Sequence, residues 1–160
     1  IKNEIFFAEK NNGSYFNNHR IRVSNKNNLE ECLFSSDSEG LKSIFPKLNM
    51  RNTGCAALDL AYVGSGRLDG YFHNNINLWD IAAGILLVKE AGGSVNDISG
   101  YDNENINVRA ASSSIYTKMI VNNFGFFAIF INKICYIWFH TFKSIDIFIS
   151  IYCFSHPIIW

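Results

Sequence analysis

The chain has 160 residues, enough to bury one core, and its fourteen basic and fourteen acidic residues cancel to a net charge of zero. That balance gives no electrostatic reason to expect nucleic acid or an acidic membrane surface as a partner, so the expected partner is a small molecule. Cys32, Cys55, Cys135 and Cys153 form no CxxC pair and have no His at zinc-ligand spacing, which argues against a structural zinc site and predicts reduced thiols and a cytoplasmic location.

Residues 1–8 and 20–24 alternate apolar and polar side chains around the turn sequence Asn11-Asn12-Gly13-Ser14, the pattern of an antiparallel meander. A further strand is expected over 29–35, entered from the polar run Asn25-Lys26-Asn27-Asn28, with Cys32 and Phe34 toward the core. The period is lost over 36–49, where a loop with one or two helical turns around 41–45 is closed by Pro46. Arg51-Asn52-Thr53-Gly54-Cys55-Ala56 then reads as a turn into a helix of small and apolar residues that ends near Gly64 or Gly66.

A helix that starts Gly-Cys-Ala offers free backbone N–H groups and no bulky side chains, which suits the oxygen atoms of a bound substrate; close packing of helix on sheet is the alternative. Cys55 has no His at local spacing to activate it and reads as a small helix-start residue rather than a nucleophile. Residues 68–72 are expected to form a short strand, and His73-Asn74-Asn75-Ile76-Asn77 a polar loop.

The segment 77–93 reads as a complete helix with Asp80 at its entrance. Ile81, Ile85, Leu86 and Val88, with the small residues Ala82, Ala83 and Gly84, predict burial on most sides, and Gly92-Gly93 predicts the stop. A carboxylate at a helix entrance meets the positive end of the macrodipole, so Asp80 is either a helix cap or a hard-metal ligand. Beyond it, 94–97 and 106–111 read as strands around a turn at 99–103, and Ser112-Ser113-Ser114 as the start of a last helix over 115–121 with Ile115, Met119 and Ile120 inward.

The composition changes abruptly at the end: eighteen of the thirty-seven residues over 124–160 are Phe or Ile. Lys133, His140, Lys143 and Asp146 interrupt this tail, so no uncharged stretch reaches the roughly 18 residues of a membrane span. Asn, Lys, Ile and Phe are the residues of an AT-rich gene, so the tail is expected to be frameshift or read-through sequence, with a peripheral or aggregating segment as the alternative, separate from a domain over 1–123.

The pattern Trp79-Asp80-x-Ala82-Ala83-Gly84 followed by Glu90-Ala91-Gly92-Gly93 resembles the signature of the inositol monophosphatase family, the magnesium-dependent inositol and sugar phosphatases. Gly54-Cys55-Ala56-Ala57-Leu58-Asp59-Leu60-Ala61 and Gly66-Arg67-Leu68-Asp69-Gly70-Tyr71-Phe72 resemble the family's preceding helix and strand, and the likeness runs from residue 1 to about Asn122.

The resemblance implies a mixed α/β fold, the C-terminal part of the layered αβαβα sugar-phosphatase architecture, and hydrolysis of a phosphorylated inositol or sugar with Mg²⁺. It implies Asp80 as one metal ligand and Gly54, Cys55 and Ala56 as contacts to substrate hydroxyls. His73 stands where the family usually has a substrate-binding Glu, and Leu78 where it often has Pro. A homodimer is among the expectations.

The family's remaining ligands lie in a Glu-Glu pair and an Asp-Pro-x-Asp-Gly-Thr motif of an N-terminal half, and neither is expected within these residues. The chain is accordingly expected to be a C-terminal portion, inactive alone. The alternative is a non-catalytic fragment or pseudoenzyme that acts through protein association.

Overall fold

Asn11 and Gly13 take positive φ values of 67° and 96°, which turns the chain back between β1 (Phe6–Glu9) and β2 (Gly13–Phe16). A second turn at Asn17-Asn18 adds β3 (His19–Arg20), so the expected meander is a three-stranded antiparallel sheet in the order β1-β2-β3. Its register differs from the expectation: β2 begins within the stretch assigned to the turn, and 21–24 lies outside any strand. The computed structural model describes residues 3–36, 48–98 and 103–120, so the expectations for 41–46, 99–102 and the apolar tail lie outside the described residues.

A second sheet contains β4 (Leu33–Ser35), β5 (Asn49–Arg51), β6 (Gly70–Ile76), β7 (Gly93–Val95) and β8 (Ile106–Ser112), in the order β5-β4-β6-β8-β7. β5 and β6 run parallel to β4, whereas β8 is antiparallel to both β6 and β7. Three expectations change here. Residues 29–31 form a short 3-10 turn, capped by the Asn28 side chain accepting from the Glu30 N–H, so β4 is shorter than expected. β5 stands where a turn was expected, and β6 continues through His73 to Ile76, where a loop was expected.

Helix α1 (Ala56–Gly64) and helix α2 (Leu78–Glu90) cover one face of this sheet, and helix α3 over residues 113–120 covers the other. Strand alternation divides the side chains between them. Tyr71, Ile76, Ile106, Val108 and Ala110 meet Leu60, Val63, Ile81, Ile85 and Val88 of α1 and α2. Phe34, Phe72 and Ala111 meet Ile115 and Met119 of α3, and Cys32 and Phe34 are fully buried there, as expected. Ile120 is half-buried. Among the described residues no helix is long and apolar enough to cross a membrane.

α2 ends at Glu90; Gly92 takes φ +85°, and Gly93 already belongs to β7, so one glycine makes the stop. The Glu90 carboxylate accepts from the Asn11 N–H at 2.9 Å and the Gly13 N–H at 3.0 Å, which pins the hairpin turn to the end of α2. The Asn12 side chain donates to Glu9 at 2.7 Å in the same turn. Beside it, the Arg67 guanidinium lies over the rings of Phe6, Phe16 and Tyr62 at 5.5, 4.7 and 5.2 Å from their centroids, and pairs with Glu4.

Asp69, just before β6, is 2% exposed and accepts from the Leu33 N–H at 2.7 Å and the Lys26 ammonium at 2.8 Å. Burial works against its charge, but the bonds from Lys26, the Ser24 hydroxyl and the Leu33 N–H outweigh it and hold the carboxyl below its ordinary value.

The helices meet through glycine. A Cβ on Gly84 would come within 2.5 Å of the Leu60 Cβ, and one on Gly64 within 3.3 Å of the Leu87 carbonyl oxygen. Gly84→Ala therefore forces α1 and α2 apart, and we expect a loss of about 1–3 kcal/mol, measured by urea denaturation. Asp69→Asn keeps an oxygen to accept from Leu33 but removes the charge that strengthens that bond and pairs with the partly solvated Lys26, and is expected to cost about 1 kcal/mol at neutral pH. Since the folded-state value is depressed, the carboxylate's contribution is present above the ordinary value of 3.8 and is lost as the pH falls through the depressed one. Denaturation midpoints of wild type and Asp69→Asn should thus converge in acid.

Candidate functional site

Two helices that begin at the same edge of a sheet bring their free N–H groups and positive dipole ends together. Ser35 pairs with Arg51 on one side and Tyr71 on the other, which sets the level of the three parallel strands. From Arg51 the chain runs through 52–55 into α1, and from Tyr71 it runs along β6 to Ile76 and into α2. Both helices thus start beyond the carboxyl ends of β5, β4 and β6, the edge where open α/β sheets bind ligands.

The glycine contacts give the helix register. Gly84 faces Leu60, and about one turn further Gly64 faces Leu87. The contacts advance together, so α1 and α2 are parallel and in step. Four residues back from Leu60 and Gly84 stand Ala56 and Asp80, which are therefore level with each other at the shared N-terminal end.

Asp80 is exposed, and its carboxylate has no hydrogen bond or ion pair among the described residues. It is the third residue of α2, not its cap: Asn77 holds the N-cap position, without a side-chain cap bond. The cap reading of Asp80 is thereby corrected. Gly54 and Cys55 are exposed, Cys55 is the N-cap residue of α1, and Ala56 is buried at 8% exposure.

His73 lies on strand β6, paired with Val108, and its ring stacks on Tyr71 at 6.4 Å. It shares with Tyr71 the sheet face covered by α1 and α2, two residues nearer the edge where the helices begin. Its Nδ1 is buried without a hydrogen-bond partner among the described residues. Trp79, next to Asp80, is 64% exposed. The fold therefore places Gly54, Cys55, Ala56, His73 and Asp80 at one end of the α1, α2 and β6 layers.

Among the described residues no group of three His, Cys, Asp or Glu side chains could hold a metal ion. A Glu-Glu pair does occur, contrary to the expectation, at Glu30-Glu31. It precedes the amino end of β4, the opposite edge of the parallel strands from Asp80, so topology keeps it out of this site.

One carboxylate near the site was not singled out from the sequence. Asp59, fully buried on α1, accepts from the Thr53 hydroxyl at 2.8 Å and the Ser35 hydroxyl at 2.6 Å. The signal was an acidic residue within the apolar run Ala57-Leu58-Asp59-Leu60-Ala61, where only an internally bonded carboxylate is tolerated.

Residues 1–126 match the model of the inositol monophosphatase family. The chain is 46% identical over 105 residues to a fructose-1,6-bisphosphatase/inositol-1-monophosphatase of Thermotoga maritima, covering 61% of this chain and 41% of that protein. It is 36% identical over 137 residues to the Nus factor SuhB of Escherichia coli, covering 76% and 51%. Among solved structures it is similar to the extragenic suppressor protein suhB of Bartonella henselae, with a TM-score of 0.66, 40% identity, and coverage of 74% and 53%. The chain thus spans about half the length, or less, of the relatives it matches.

The two described cysteines differ in environment. Burial, followed by the charge of Asp69, pushes the Cys32 thiol up to about 11, and its Sγ donates to the Asn28 carbonyl at 3.1 Å, whereas Cys55 is exposed at the site. Iodoacetamide at mildly alkaline pH is expected to label residue 55 in the native chain and residue 32 only after denaturation, as read by peptide mass mapping.

Proposed function

The chain belongs to the inositol monophosphatase family, and from that premise we propose that it forms the substrate-facing wall of a magnesium-dependent phosphate monoester hydrolase. The observation that carries this reading is the in-step pairing of α1 and α2, which sets an exposed carboxylate, without a partner among the described residues, level with Ala56.

In this reading Gly54, Cys55 and Ala56 border the hydroxyls of a phosphorylated inositol or sugar, the Cys55 N–H itself being taken by Thr53. His73, with one ring nitrogen unengaged by protein, adds a contact from β6. An imidazole can donate as well as accept, so the hydroxyl pattern it selects differs from that favoured by the carboxylate usual in the family.

Asp80 fits one position of a hard cation: a carboxylate with no partner among the described residues, at the positive end of a helix. When bound, Mg²⁺ neutralises phosphate oxygens and favours departure of the alkoxide. One carboxylate does not complete its oxygen shell, and no second ligand group joins Asp80 among the described residues, so these would hold the ion in part and leave water activation to other residues. Turnover would then require the segment that carries the family's other ligands.

A second reading is favoured by the relatives named Nus factor SuhB: the chain acts by association with other proteins and performs no hydrolysis.

Calorimetric titration of the chain with inositol 1-phosphate separates the two. Binding is expected to depend on Mg²⁺, and Asp80→Asn to weaken the Mg²⁺-dependent part at least about tenfold. Binding indifferent to both Mg²⁺ and Asp80 would count against the metal-site reading. Phosphate release by the isolated wild-type chain, abolished in Asp80→Asn, would overturn the assignment of water activation to another segment.

A further inference from the structure

The segment that presents Gly54 to Ala56 is irregular and exposed, yet a buried carboxylate is connected to it. Thr53 donates its hydroxyl to Asp59 at 2.8 Å and accepts the Cys55 N–H at 3.3 Å. Asp59 also receives the Ser35 hydroxyl at 2.6 Å, and Ser35 lies 3.3 Å from the Arg51 carbonyl. One carboxylate on α1 is thereby bonded to the end of β4 and to the middle of the connection between β5 and α1.

We propose that Asp59, acting through Thr53, is a positioning residue: it holds the 52–55 segment so that the Cys55 end of α1 stays ordered and open to ligand. This rests on the substrate-facing reading of Gly54, Cys55 and Ala56 and adds to it the group that holds them in place. Thr53 suits the task because its hydroxyl gives one bond and takes another at once, orienting both. Asp59 is fully buried, and its bond from Ser35 is shielded from water.

Thr53→Val keeps the shape and removes both bonds, and Thr53→Ser keeps both. Amide hydrogen exchange on the full chain, followed residue by residue by NMR, reads the difference, with the Leu60 and Val63 amides inside α1 as the reference for general destabilisation. In Thr53→Val, Cys55 exchange should rise by about tenfold or more relative to that reference, and Thr53→Ser should restore it. Asp59→Asn retains an acceptor for Thr53 and should behave like Thr53→Ser.

Addition of inositol 1-phosphate with Mg²⁺ should slow exchange at Cys55 and Ala56 in wild type and Thr53→Ser, and less so in Thr53→Val. Equal Cys55 exchange in wild type and Thr53→Val, or a rise matched at Leu60 and Val63, overturns the positioning role. Absence of ligand protection in wild type, with the Cys55 difference intact, removes the substrate reading and leaves the positioning role supported.

Discussion

The contact of α1 with α2 is the constraint on which the remaining geometry rests. With no side chain at Gly84 or Gly64, the helices approach until Leu60 fills the space a Cβ on Gly84 would take and the Leu87 carbonyl oxygen comes close to the space one on Gly64 would take. Such an approach permits one register, because a shift of a single residue would set a larger side chain against the opposite backbone. That register brings Asp80 level with Ala56, and the parallel strands below set both groups at their carboxyl edge. A packing requirement in the middle of two helices therefore sets the arrangement of groups at their ends.

Buried or partly buried carboxylates act as fasteners between layers that apolar packing alone would leave free to slide. Glu90 joins α2 to the hairpin of the small sheet, Asp69 joins β4 to the loop that precedes it, and Asp59 joins α1 to β4. Each accepts from backbone N–H groups, hydroxyls or an ammonium, the arrangement that makes a buried carboxylate tolerable. Asp80 has no such partner among the described residues, and the contrast sets it apart from the structural acids.

Much of this was legible before any coordinates. Small residues over 54–66 and 77–93 announced two closely packed helices, and the alternation about Cys32 and Phe34 announced a buried strand. What was misread was mostly polar structure held by tertiary pairing. β5 is only Asn49-Met50-Arg51, with no β-branched residue, and exists because it pairs with β4. His73 to Asn75 reads as loop by composition, but β8 pairs with the strand on either side of an irregularity where Asn75 takes φ 67°. The role of Asp80 was ambiguous because cap and third position differ by one turn, and boundaries are set by backbone angles that residue type does not specify. The bonds of Asp59 were invisible for another reason: they join residues from three elements, and no local pattern records them.

The anchoring of the hairpin by Glu90 bears on chemical ageing. Asn12-Gly13 is the dipeptide most prone to lose ammonia, through attack of the glycine nitrogen on the preceding side-chain amide to close a succinimide ring. Here the Gly13 N–H is engaged by Glu90 and the Asn12 amide by Glu9, so both reactants are held apart in the folded chain. A fastening that joins helix to sheet thus also slows the clock of spontaneous deamidation at the first turn of the small sheet.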